Sequence, residues 1–103
     1  MSTKEKLKTE MRVLVHRKKA QLKRLEAEME DLRADLAEAG DDQGLLKVIG
    51  DDLEGIRAQV VGRLGELEQM GRSGLEELRG AADKALGELR NGIKSARRKL
   101  ERG

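Results

Sequence analysis

Residues 53–100 read LEGIRAQVVGRLGELEQMGRSGLEELRGAADKALGELRNGIKSARRKL. Aligned every eleven residues, Leu53, Leu64, Leu75, Leu86 and Arg97 form one column. Ile56, Leu67, Leu78, Leu89 and Leu100 form a second, and Val60, Gly71, Ala82 and Ile93 a third. The steps between apolar positions run three, four, four and then repeat. Eleven residues in three turns is close to the natural pitch of an α-helix, so the apolar stripe stays nearly straight along its rod. Such a stripe needs another surface to cover it.

The upstream segment has a different period. Met11, Val15, Lys18, Leu22, Leu25, Met29, Leu32 and Leu36 are separated by alternating steps of four and three, the heptad of a left-handed coiled coil. Ser2 with Glu5 fits a capping box at its start. Lys18 stands at a core position, where its stem can pack while its ammonium reaches water. Ala39-Gly40-Asp41-Asp42-Gln43-Gly44 is the best break in the chain, since Gly and Asp stop helices and cap new ones. The sequence therefore divides into a heptad helix over 1–39, a turn over 40–44 and an eleven-residue-repeat segment over 45–102. Kinks are allowed near 50 and 71–74. Asp51 with Glu54, and Ser73 with Glu76, are spaced as capping boxes, and a break at Gly71 would give a three-helix bundle. The unbroken phase through Gly71 instead favours one continuous or mildly kinked second helix.

Composition agrees with an all-α protein. The 103 residues are 41% charged and include no Phe, Tyr, Trp, Pro or Cys. High charge with periodic aliphatics marks coiled coils and long helices. Nine Gly lie between Gly50 and Gly92 and cost helix stability on the order of 5–9 kcal/mol relative to Ala. The second segment should therefore need packing to fold. The small residues Gly74, Ala81, Ala85, Gly92 and Ala96 lie along one edge of its Leu stripe, where a second backbone can approach closely.

Charge is sorted along the chain. Residues 1–24 carry nine basic and two acidic side chains, and residues 25–55 carry two basic and eleven acidic ones. Residues 56–90 balance six against six, and residues 91–103 carry five basic and one acidic. Two copies of the first helix packed antiparallel would set each basic half against an acidic half. An intrachain hairpin brings acidic residues 26–38 near Asp51, Asp52 and Glu54, and leaves roughly 30 Å of the longer segment uncovered. The expected fold is thus long helices joined by a short turn in a coiled-coil or helical-bundle oligomer. The alternatives are a three-helix bundle and one continuous helix in a parallel coiled coil. The expected seam between copies is Met11, Val15, Leu22, Leu25, Met29, Leu32, Leu36, Leu53, Ile56, Val60, Leu64, Leu67, Leu75, Leu78, Leu86, Leu89, Ile93 and Leu100.

Chemistry-bearing motifs are sparse. His16 is the only histidine and sits among Arg12, Arg17, Lys18 and Lys19. Ser2, Ser73 and Ser95 have no evident base, and two of them fit helix caps. The pairs Asp41-Asp42 and Asp51-Asp52 lack the oxygen spacing of a hard-cation loop. No catalytic set, cofactor, metal or small-molecule substrate is expected. Arg17, Lys18, Lys19, Arg97, Arg98 and Lys99 are candidate anion contacts, for lipid headgroups or nucleic-acid phosphates. The absence of aromatics argues against base stacking. The absence of Cys and of a long apolar run is consistent with the cytoplasm.

The eleven-residue repeat over Leu53–Leu100 resembles that of exchangeable apolipoproteins, dehydration-induced helical proteins and storage-granule coat proteins. The resemblance implies a lipid-surface helix. The chain departs from it in lacking the Pro punctuation of apolipoproteins, and its apolar face lacks the Trp or Phe usual in interfacial helices. The leading expectation is a non-enzymatic protein acting by self-assembly or scaffolding. Lipid binding and nonspecific nucleic-acid binding are the alternatives.

Overall fold

The computed structural model describes residues 2–40, 44–69 and 75–102. Helix α1 runs Thr3–Ala39. Ser2 caps it: the Glu5 N–H donates to the Ser2 Oγ at 3.2 Å. Gly40 closes it in the left-handed conformation (φ 92°), its N–H donating to the Leu36 carbonyl at 3.0 Å. A residue with a Cβ is strained at that φ, which is why glycine stands there.

The next rod starts after Gly44 and has three parts: α2 (Leu45–Val48), a π-helical turn (Ile49–Leu53) and α3 (Glu54–Gln69). The backbone stays right-handed helical through both junctions. The π turn follows from the spacing of its apolar residues. Leu45, Ile49 and Leu53 are two consecutive steps of four, and all three are buried. In a regular α-helix those steps carry Leu45 about 80° round from Leu53. A wider turn brings the three back into line. The Gly50-Asp51-Asp52 irregularity thus widens the helix without ending it, and Asp51 caps nothing.

Helix α4 runs Leu75–Arg102. Contacts between the rods fix the topology. Lys19 of α1 pairs with Glu68, and Arg33 with Glu54, so α1 and α3 are antiparallel. Lys18 pairs with Asp83 and Asp35 with Arg97, so α1 and α4 are parallel. Helices α3 and α4 are therefore antiparallel to each other, with Leu53, just before α3, resting on Gly92. The result is an up-down-up bundle of three rods, 57 × 19 × 17 Å. At 1.5 Å per residue α1 spans about 55 Å, the full length of the molecule.

This architecture is the three-helix alternative. The favoured continuous helix over 45–102 is absent, because α3 ends at Gln69 and α4, beginning at Leu75, packs back along it. The connecting residues, including Gly71 and Ser73, lie outside the described residues. The preserved phase has a different cause from chain continuity. Helices α3 and α4 each turn an inward stripe toward the same interior, and one register serves both. The 30 Å overhang also disappears, since the folded-back α4 covers what a two-helix hairpin would expose. What projects is the start of α1. With Lys18 level with Asp83, the first two turns of α1 extend beyond the start of α4.

One aliphatic cluster fills the interior. Helix α1 contributes Val15, Leu22, Leu25, Met29, Leu32 and Leu36, and the middle rod Leu45, Ile49, Leu53, Val60, Leu64 and Leu67. Helix α4 contributes Ala82, Ala85, Leu86, Leu89, Ile93 and Ala96. Alanines take more places in α4 than in the other rods, so the partner helices can sit close to it. At Gly92 no side chain is tolerated without movement: an added Cβ would overlap Leu53 Cδ2.

Candidate interaction surface

The residues expected to form a seam between copies form the interior of one chain. Val15, Leu22, Leu25, Met29, Leu32, Leu36, Leu53, Val60, Leu64, Leu67, Leu86, Leu89 and Ile93 are all buried. Ile56, Leu78 and Leu100 are half-buried against the same cluster, and Met11 is half-buried near the projecting end of α1. The side chain of Leu75 lies outside the described residues. Three helices satisfy the stripes mutually, so the need for a partner rod is met within the chain.

The sorted charges are likewise used internally. The basic half of α1 faces acids of α3 and α4: Lys18 pairs with Asp83 and Lys19 with Glu68. Lys18 is only 7% exposed. Its stem packs in the core and its ammonium reaches Asp83, so it is not available as an anion contact.

The clash of acids expected between 26–38 and Glu54 is resolved by two arginines. Arg33 donates to Glu30 Oε1 and to Glu54 Oε1, each at 2.5 Å. Arg57 donates from Nε to Glu26 Oε2 at 2.7 Å and reaches Glu54 Oε2 at 3.6 Å. The hydrogen bond to Glu54 raises the Arg33 guanidinium above its ordinary pKa, against the lowering effect of burial. The hydrogen bond to Glu26 raises Arg57 in the same way. An open groove of about 390 Å³ adjoins this network, lined by Glu26, Ala27, Met29, Glu30, Glu54 and Arg57. Its carboxylates, Glu26, Glu30 and Glu54, are held by the Arg33 and Arg57 guanidinium groups.

The six candidate anion contacts do not form one site. Lys18 is buried, Lys19 pairs with Glu68, and Arg97 pairs with Asp35 at 3.0 Å. Arg17, Arg98 and Lys99 are exposed. Because α1 and α4 are parallel, Arg17 and Arg98 are separated by about 25 Å along the bundle, at 1.5 Å per residue. His16 is exposed on α1. Among the described residues no group of His, Cys, Asp and Glu is arranged to hold a metal, and no described helix is long and apolar enough to cross a membrane.

What remains outward is a patterned face of α1. Arg12, Val13, His16, Arg17, Ala20, Lys23 and Arg24 are exposed along its first half, and Ala27, Glu28, Asp31, Ala34 and Glu38 along its second. Val13, at 45% exposure, is among the most exposed large apolar residues described. The sequence shows the charge order, but its reading places the apolar stripe Met11–Leu36 between copies and gives the outer face of α1 no role beyond anion contacts. Sequence reasoning missed Arg33 and Arg57 as the groups that reconcile the acids, and Leu45 and Ile49 as core. The two steps of four at Leu45, Ile49 and Leu53 were the available signal for the latter. Comparison of the chain with protein families, with curated proteins and with solved structures finds no match.

Proposed function

We propose that this chain is a non-enzymatic helical module that works by association through the exterior of α1, in self-assembly or as a scaffold. The supporting observation is the separation of roles on α1. Its inner face is committed to the core, and its outer face carries exposed charge that changes sign near residue 26. Charge arranged in blocks steers encounters and selects orientation. Among the described residues the ion pairs bridge neighbouring helices or run along one helix. Sedimentation equilibrium of the full chain at low and high salt tests the reading. Association that weakens as salt rises supports it, and a chain that stays monomeric at millimolar concentration in low salt refutes it.

A second reading is nonspecific binding of polyanions by the basic half of α1. It is favoured by Arg12, Arg17, Lys23 and Arg24, none of which has an ion pair among the described residues. It predicts salt-sensitive duplex binding that is lost when these four are neutralised. Lipid binding by the Leu53–Leu100 stripe has less support, because those side chains would have to leave the core first.

A further inference from the structure

We propose that the outer face of α1 pairs with the same face of a second copy, antiparallel, about a two-fold axis near residue 26. This rests on the self-association reading above and names its surface. Arg17, Lys23 and Arg24 lie on one side of the axis, and Glu28 and Asp31 on the other. All five are exposed, and none is in an ion pair among the described residues. An antiparallel second copy lays residues 17–24 along residues 28–35 of the first, so the unpaired cations meet the unpaired anions twice by symmetry. A parallel copy would set like charge on like charge over the same length, which is unfavourable.

The order of the face also opposes the helix's own dipole, since the basic half is N-terminal and the acidic half C-terminal. A partner of inverted order relieves that opposition. Between the charged rows, Val13, Ala20, Ala27 and Ala34 recur every seven residues and are all exposed. They leave room for a second helix to approach once charge has set the direction. Among the described residues the other exposed large apolar side chains, Leu46 and Val61, lie on the middle rod and offer no comparable row.

The test is a charge exchange on the full chain, with helicity of each variant checked by circular dichroism. R17E/K23E/R24E alone and E28K/D31K alone should each raise the dimer dissociation constant about tenfold or more. An equimolar mixture of the two should restore association. The chain has no cysteine, so single cysteines report orientation cleanly. Ala27→Cys, beside the axis, should form an intermolecular disulfide on oxidation, and Val13→Cys should not. Cross-linking through Val13→Cys, with or without Ala27→Cys, indicates a parallel pair and overturns the proposal. Self-association that survives both exchanges, with neither cysteine cross-linking, overturns this surface while the self-assembly reading stands. A chain that never associates removes both. A monomer that binds duplex DNA through Arg17, Lys23 and Arg24 assigns the face to a polyanion and overturns the paired copy.

Discussion

At Gly92 the missing Cβ leaves room for the Leu53 side chain. Leu53 occupies the space a Cβ would need, and Leu53 is itself 2% exposed. Gly92→Ala gains helix propensity but forces Leu53 to move within a filled core, and should destabilise by about 0.5–2 kcal/mol net. Gly62 and Gly80 have nothing within 4 Å of an added Cβ. There Ala should stabilise by about 0.5–1 kcal/mol each. Denaturant unfolding of the three variants checks the opposite signs. Lys18 and Asp83 give a second contrast. Asp83→Ala removes the half-exposed carboxylate that the Lys18 ammonium reaches at the edge of the core and should cost about 0.5–1 kcal/mol. Lys18→Met keeps the packed stem and removes the charge, and should be neutral or stabilising. Equal losses from both would contradict the assigned burial.

The π turn makes a prediction at the scale of the element. Deleting Gly50 turns the steps Leu45–Ile49–Leu53 from four and four into four and three, which a regular α-helix accommodates. The deletion should change stability by less than about 1 kcal/mol and convert the turn to α-helix, visible as regular amide shifts and i to i+4 bonding by NMR. The acid–arginine network belongs to this scale as well. Raised guanidinium pKa values stabilise the fold wherever the unfolded arginine is still charged, which is the whole range below about 12. The Arg57–Glu26 coupling, about 0.2–1 kcal/mol for groups a third exposed, should therefore be the same at pH 7 and pH 10 in a double-mutant cycle. These elements also show what the sequence makes legible. The seam residues of α1 and α4 and the caps at Ser2 and Gly40 follow from period and punctuation alone. The π turn does not, because Gly-Asp-Asp is equally good chemistry for stopping a helix. The separation of α3 from α4 was hidden by a register that runs through both helices without a change of phase.

At the scale of the molecule, the difference between expectation and structure is where the apolar stripes find cover. Period and composition require cover but do not distinguish another chain from another part of the same chain. The packing of α4 back along α3 decides it. With the stripes covered inside one chain, folding does not require a second copy, and the proposed association falls to the charged exterior. The most direct measurement is circular dichroism over a dilution series, paired with sedimentation equilibrium on the same samples. A self-sheltered bundle predicts that helicity and unfolding midpoint stay constant after the chain has become monomeric. Helicity that collapses in step with dissociation would contradict it, since the aliphatic stripes would then depend on a second copy for their cover.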